Sequence, residues 1–418
     1  MSRILLVAAT TGYQTRSFAE AARRHGIAVI LATDRCHILE DPWRDNAIPV
    51  RFEYPRASAD ALADAIRDLT VDAVVAVADR PTLIAALTAE KLGIPWHPPD
   101  AVAICRDKYR MRERFEAAGL LVPRNFRVPL GSDPLAIARD AFYPCVLKPL
   151  GLSASRGVIR ANDPHEFTAA FERTRRILSQ PEILHLHEEW NEAIQIEQYI
   201  EGREFALEGL MTHGELRTLA IFDKPDPLDG PFFEETIYVT PSRESAAVQQ
   251  AIVETARRAV AALGLRHGPV HAEMRVNAEG VWMLEVAARP IGGLCARALR
   301  FENGLTLEDL VVVHAIGRAP CTLTLAAPAA GVMMIPIPRA GVYHNVSGLE
   351  DALATKGIDD VVITAKQGQK LVPLPEGASY LGFIFASGPG PAAVETSLRD
   401  AHTRLDFEIF STLDVIHS

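Results

Sequence analysis

Two carboxylates are placed by the sequence pattern to face each other. Glu273 and Glu285 lie in the stretch 271–293, HAEMRVNAEGVWMLEVAARPIGG. Two alternating runs joined by Ala278-Glu279-Gly280 read as a β-hairpin, with Gly280 as the left-handed residue that closes a three-residue loop. That loop pairs Asn277 with Val281, and therefore Glu273 with Glu285. Period two puts His271, Glu273, Arg275, Met283, Glu285, Ala287 and Arg289 on one face. The other face carries Ala272, Met274, Val276, Trp282, Leu284, Val286 and Ala288. Carboxylates about 5 Å apart repel unless a cation lies between them. A hard cation such as Mg²⁺ suits an all-oxygen donor set. The plainer alternative is a surface hairpin whose glutamates spread into water.

Elsewhere, cations and small residues gather in patterns suited to anions. Lys148 lies in the apolar run 144–149 (PCVLKP), and the small-residue run 151–158 (GLSASRGV) follows. The run lacks the GK[ST] of a Walker A loop. Its backbone amides could still form an anion nest, with Lys148 adding a point charge. A flexible hairpin turn is the alternative. Lys108 lies in an amphipathic run, 101–118, where a lone helical lysine is usually solvated. Glu197 and Glu204 flank a break at 201–203 in the strand-like run 194–211, and Glu197 alone is an ordinary outward residue. The stretch 222–242 is rich in proline and reads as a long ordered loop, a kind that is often functional. It makes Asp223, Lys224, Glu234 and Glu235 candidates for lining a substrate pocket. The pair His185 and His187 has no evident third ligand and reads as polar surface.

These residues need a scaffold. A chain of 418 residues exceeds one ordinary core. A hydrophobic fraction of 48% and a charged fraction of 23% mark the soluble globular class. With 43 basic and 53 acidic residues the formal net charge is −10, so no nucleic-acid partner is expected. Cys36, Cys105, Cys145, Cys295 and Cys321 are scattered, which argues against a disulfide framework and a structural zinc. The apolar run 4–9 is too short for a signal peptide, and no run reaches membrane-span length, so a cytoplasmic location without membrane partners is expected. Strands at 3–9, 27–32, 71–77 and 94–96 alternate with helices at 14–25, 59–69 and 81–91. That is a parallel α/β sheet, closed near Pro98-Pro99. The loop Thr10-Thr11-Gly12 after the first strand lacks GxGxxG, and is either a ligand loop at a strand end or an ordinary turn. Further helices are expected at 164–179, 244–263 and 305–316. The run 319–330, rich in Ala, Pro and Thr, marks a second boundary. The tail beyond it has strands near 331–337, 361–364 and 380–386, a helix near 391–404, and no evident chemistry.

In order along the chain, Lys108, Lys148, the loop 151–157, Glu197-Gln198-Tyr199-Ile200, Glu204, Glu273 and Glu285 to Arg289 together resemble the ATP-grasp superfamily. The ending ARPIGG is similar to that of L-amino acid (dipeptide) ligases in its biotin-carboxylase-like branch. The resemblance implies an α/β ATP-grasp fold: a Rossmann-like parallel-sheet domain at 1–98, an ATP-grasp domain at 99–320 with a mobile lid over roughly 140–200, and a small C-terminal α+β domain at 321–418. It implies ATP and Mg²⁺, with Mn²⁺ as a substitute. Lys108 and Lys148 would hold the α- and β-phosphates, and Ser153, Ser155 and their loop would close over the β- and γ-phosphates. Glu197 would meet the adenine amino group, with backbone groups of Gln198 and Ile200 at the ring edge. Glu204 would bind the ribose. Glu273 and Glu285 would hold the metal. Arg289 would be the catalytic cation, and Lys224, Glu235, Arg289, Gly292 and Gly293 would meet the substrates. One departure stands out: Ala287 occupies the place of the family's usual asparagine, and alanine cannot coordinate.

The resemblance implies an ATP-dependent carboxylate–amine ligase that passes through an acyl phosphate and releases ADP and phosphate. Amino acids would be the carboxylate and amine partners, and a homodimer is compatible with the fold. Two rival expectations remain open. One is a bicarbonate-using carboxylase of the biotin-carboxylase or purine-biosynthetic kind. The other is a catalytically impaired nucleotide-binding protein.

Overall fold

The computed structural model describes residues 2–10, 14–34, 47–319 and 322–411. Cys36, Cys321 and Thr11-Gly12 of the first loop lie outside the described residues. The N-terminal unit is a four-stranded parallel sheet in the order Ile48–Pro49, Ala28–Thr33, Arg3–Ala8, Ala73–Val77. The segments RILLVA, in the middle of the sheet, and AVVAV, at its edge, are apolar on both faces because helices cover both sides. The helix Asp79–Leu92 follows the last strand. Its first residue is an acid, the favourable charge at a helix N-terminus. No strand forms at 94–96. The expected helix 101–118 is two helices, Pro99–Cys105 and Lys108–Ala117. Asp107 interrupts the run because its carboxylate accepts from Tyr109 N and Arg110 N, capping the second helix. Lys108 is thus the first residue of a helix and not a mid-helix side chain.

Residues 125–198 form a separate small unit. Its antiparallel sheet runs in the order Asn125–Pro129, Ala193–Gln198, Cys145–Pro149, Ile159–Ala161. The helix Pro164–Leu178 packs on it and buries Phe167, Phe171, Ile177 and Leu178 against Leu147, Ile194 and Ile196. This core is its own, so the unit has the autonomy expected of a lid.

The central sheet has eight strands in the order Gly280–Ala287, Gly268–Asn277, Arg203–Thr212, Glu215–Asp223, Ile237–Thr240, Ala329–Ile335, Gly382–Gly388, Ile358–Ile363. Ile237–Thr240 pairs with Ala329–Ile335, so a cut at residue 320 runs through one continuous sheet. The expected C-terminal domain shares that sheet and adds a three-stranded one, Lys370–Leu371, Gly341–Ser347 and Asp406–Phe410. One face of the central sheet buries Phe205, Leu207, Met274 and Met283 in the same core as Leu5, Val7 and Val74 of the parallel sheet. That shared core fixes the N-terminal unit against the hairpin.

The hairpin pairs Glu273 directly with Glu285, as expected, but by a different route. The turn is one residue tighter, pairing Asn277 with Gly280, and a bulge between Glu273 and Met274 restores the register. The bulge moves Met283 into the core opposite Met274 and turns Leu284 toward the site. The expected faces therefore exchange Met283 and Leu284, and Trp282 moves to the face of Arg275. Burial explains the choice: a methionine removed from water contributes roughly 1.5–3 kcal/mol, and Met274 and Met283 are both fully buried.

Candidate active site

A cavity of about 340 Å³ opens between the three units. It is lined by Arg289, Lys108, Lys148, Ser153, Ser155, Glu197, Gln198, Ile200, Glu204, Glu235, Glu273, Glu285, Gly292 and Gly293. The sequence singled out each of these. It also singled out Lys224, which does not line the cavity. Lys224 lies behind the wall, where its ammonium donates to Glu204 (2.8 Å), Glu235 and Glu273 (3.2 Å). Burial would discharge it, but the three carboxylates outweigh burial and hold its pKa well above the usual value. Those carboxylates have the spacing of a cation site, and the cation they enclose is this lysine. The expectation that Lys224 meets substrate is corrected to a role inside the wall.

Glu273 and Glu285 are each matched by protein cations. Burial raises the Glu273 carboxyl, but Lys224 and His271 reverse this and hold it far below the carboxylate range. His271 Nε2 lies 3.2 Å from Glu273 Oε1, and its Nδ1 meets Glu208. Against burial, those two glutamates lift His271 to about 9. Lys108 Nζ lies 3.6 Å from Glu285. Ala287 pairs with His271 across the strands and offers no donor atom.

Lys108 also donates to the carbonyl of Leu152 at 3.0 Å and approaches that of Leu150 at 3.5 Å. It thereby anchors the start of the small-residue loop. In that loop Ala154 and Ser155 both have φ of 54° and Gly157 has 74°. Successive left-handed residues cost energy for side chains with a Cβ and turn backbone groups toward one concave side.

Glu197 differs from expectation. It is 1% exposed. Its Oε1 lies 2.8 Å from Arg112 Nε and accepts from Gln195 at 2.7 Å, and its Oε2 is 2.5 Å from Lys148. Burial raises its pKa, but Arg112 and Lys148 drive the net shift down. The carboxylate is committed to Arg112 and Lys148 and holds Lys148 in place. Glu204 likewise meets Lys224 and Arg275 Nε.

Arg289 has a partner that sequence reasoning missed. Its Nε and Nη2 donate to Asp79 Oδ1 and Oδ2 at 2.8 and 3.0 Å, and Nη1 donates to Pro290 O at 3.0 Å. Burial works against its charge, but Asp79 more than restores it. Asp79 belongs to no motif, and only the shared core brings it here. The tail also contributes: Met334, Tyr380 and Phe383 line the cavity beside Tyr238, Ile291 and Cys295.

Three family matches cover most of the chain: the ATP-grasp N-terminal domain at residues 19–96, the ATP-grasp domain at 141–298, and the L-amino acid ligase C-terminal domain 2 at 333–409. The uncharacterised protein y4rH of Sinorhizobium fredii is 24% identical over 98% of this chain and 84% of its own length. Alanine–anticapsin ligase of Bacillus subtilis is 28% identical over 71% of this chain and 66% of its own length. The crystal structure of L-amino acid ligase from Bacillus licheniformis superposes with a TM-score of 0.83 at 25% identity, covering 99% of both chains. Fold and domains define the class: this chain is an ATP-grasp protein, built to bind ATP. Within that class it belongs with the carboxylate–amine ligases of the L-amino acid ligase type.

Proposed function

We propose that the chain joins two amino acids, phosphorylating the carboxylate of one and transferring its acyl group to the amine of the other. The observation that carries this reading is Arg289, fixed by Asp79 and lining one cavity with Lys108, Lys148, Glu273 and Glu285. A carboxylate and an amine do not condense at neutral pH without activation. Attack of the carboxylate oxygen on the γ-phosphorus breaks the bond to ADP and gives an acyl phosphate. The amine then attacks the acyl carbon, the C–O bond to phosphate breaks, and the amine loses a proton.

The carboxylate and ATP are both anionic, so cations must gather them. On this reading Lys108 and Lys148 hold the α- and β-phosphates, and the loop carrying Ser153 and Ser155 covers the β- and γ-phosphates. Backbone groups of Gln198 and Ile200 lie where the adenine edge would be read, with Glu204 near the ribose. Arg289 retains free N–H directions after binding Asp79, suited to the phosphoryl oxygens and then to the tetrahedral oxyanion. The opposed, oxygen-only pair Glu273 and Glu285 fits Mg²⁺, and Glu273 is held charged, as a ligand must be. When bound, Mg²⁺ would neutralise phosphate charge there. Glu235 and the strip Ile291-Gly292-Gly293 face the substrate end, where Met334, Tyr380 and Phe383 favour an apolar side chain. No described helix is long and apolar enough to cross a membrane, in keeping with work on free amino acids in the cytoplasm.

A phosphate-release screen over pairs of amino acids, with products identified by mass, tests this. ADP and phosphate should appear only when an accepted pair is present, and Glu285→Ala should abolish turnover. AMP and pyrophosphate as products, or phosphate release that depends on bicarbonate alone, would overturn it.

A further inference from the structure

Among the contacts that seat the lid unit on the body of the molecule is a buried carboxylate that the active-site cavity does not use, that of Glu188. Glu188 and Trp190 lie just before the lid strand Ala193–Gln198. Glu188 Oε2 accepts from Trp190 Nε1 at 2.9 Å. Its Oε1 accepts from Arg106 Nη2 at 2.9 Å and lies 3.4 Å from Arg80 Nε. The Arg106 and Glu188 side chains are 9% and 8% exposed. The Arg106 guanidinium also lies over the Trp190 ring, 4.9 Å from its centroid. Both arginines belong to the body: Arg80 to the helix Asp79–Leu92, Arg106 to the turn before Lys108.

Each side of this contact leads to working parts. On the lid side, Trp190 packs so closely on Gly151 that any Cβ there would collide with the indole. Gly151 begins the small-residue loop. On the body side, Arg80 follows Asp79 in the chain, and Arg106 adds to the charges that favour ionised Asp79. Arg106 is also two residues from Lys108, which binds the carbonyl of Leu152.

We propose that Glu188 is a positioning residue that registers the lid against the body. With Glu188 seated between Arg80 and Arg106, the small-residue loop stands over the phosphates in the same arrangement in which Asp79 holds Arg289. Phosphoryl transfer is thereby confined to the state in which Arg289 is ready for the amine. This rests on the ligase reading above. The acyl phosphate is open to water whenever the lid is out of register, so losing Glu188 lowers coupling before it lowers stability.

The test uses the full chain with Glu188→Gln, which keeps the shape and the tryptophan bond but removes the charge. Amide bonds formed per phosphate released should fall at least about threefold and KM for ATP should rise about tenfold, while the melting temperature stays within a few degrees. Gly151→Ala displaces Trp190 from Glu188 and Arg106 without removing either charge and should lower the same ratio, which keeps the test open if the first variant folds poorly. An unchanged ratio and KM in the folded variants would overturn the assignment. If the wild type forms no amide from any pair, the ligase reading fails, and Glu188 is then tested by tryptophan emission. Mg²⁺ with a non-hydrolysable ATP analogue should change the emission of the wild type and leave Glu188→Gln and Trp190→Phe unchanged. The same change in Glu188→Gln as in the wild type would overturn it.

Discussion

Asp79 grips Arg289 through two parallel hydrogen bonds across 210 positions of the chain. The fork fixes the plane of the guanidinium, and the third bond, to Pro290 O, fixes its rotation. Asp79→Asn keeps the size but offers Arg289 only one acceptor and no charge. Turnover should fall about 10- to 100-fold, the loss of roughly 1.5–3 kcal/mol of charge-assisted bonding. KM for ATP should stay within about twofold of the wild type, because Asp79 acts through Arg289 and not through the residues proposed for the adenine. Steady-state phosphate release at saturating amino acids reads both. An equal loss in ATP affinity would contradict a role confined to Arg289.

Glu197 supports a different cation, and its loss should be felt in stability first. It is the shared counter-charge of Arg112 and Lys148, which are 1% and 14% exposed along their side chains. Removing one partner of a buried ion pair leaves uncompensated charge and typically costs about 3–5 kcal/mol. Glu197→Ala should therefore lower the melting temperature by many degrees, and Glu197→Gln by less, because the amide keeps the shape and a carbonyl oxygen beside the two cations. Thermal unfolding followed by circular dichroism separates the two variants. Equal melting for all three proteins would show that the triad carries no net stability.

Much of the site could be read from sequence because it lies in strands and tight loops with a strong local period. The Glu273–Glu285 pairing is one such case, although its register rests on a tighter turn and a bulge that offset each other. Alternation of two residues leaves no trace of a bulge, so the exchange of Met283 for Leu284 could not be foreseen. Lys108 illustrates another limit. Asp107 caps the helix that Lys108 starts, and an Asp-Lys step within an amphipathic run does not announce a break. Asp79, Tyr380 and Phe383 were invisible for a different reason. Each enters the cavity through tertiary packing, from units that carry no local motif of their own. Asp79 could have been suspected as an acid at the start of a helix that follows a buried parallel strand, since ligands gather at such strand ends. The aromatic pair could not. The continuity of the central sheet from Ile237–Thr240 into Ala329–Ile335 crosses a run whose composition marks a domain boundary.

Buried histidines set both limbs of the stability–pH curve. His97 is 1% exposed, accepts from Arg266 N through Nδ1 and donates from Nε2 to Pro269 O, an arrangement that requires the neutral ring. Burial holds its pKa at about 4. His314 is held at about 4 by burial, and then by His267, whose ring stacks on it at 4.4 Å, and His213. In the unfolded chain both titrate near the usual 6.5, so the unfolded state binds more protons between about pH 6.5 and 4. Their contribution is complete above pH 6.5 and is lost as the pH falls through that window, on the order of 3 kcal/mol for His97. His271 has the opposite sign. Raised to about 9 by Glu208 and Glu273, its contribution is complete below pH 6.5 and is lost as the pH rises toward and through 9. Melting temperature against pH should show a maximum near pH 6.5 with a fall on each side. His271→Asn should flatten only the alkaline limb, and His97→Asn only the acidic one.

Phe383 should set how large a side chain the substrate end accepts. Its ring closes over the strip that follows Arg289. A Cβ on Gly293, which has a φ of 60°, would stand 3.3 Å from Phe383 Cζ. Gly293 thus leaves this wall without a side chain of its own, and the ring opposite becomes the boundary. Phe383→Leu shortens the ring while keeping an apolar filler, which limits the cost in a residue that is 1% exposed. KM for the bulkiest accepted amino acid should fall and that for the smallest should rise, each by about 10-fold or less, the range one or two methylenes command in an apolar pocket. KM for ATP should not move, since Phe383 is not among the residues proposed to hold the nucleotide. Gly293→Val should act in the reverse sense, because a β-branched residue both disfavours the left-handed backbone and presses on the ring. A shift in ATP affinity without a change in amino-acid preference would remove Phe383 from the substrate wall.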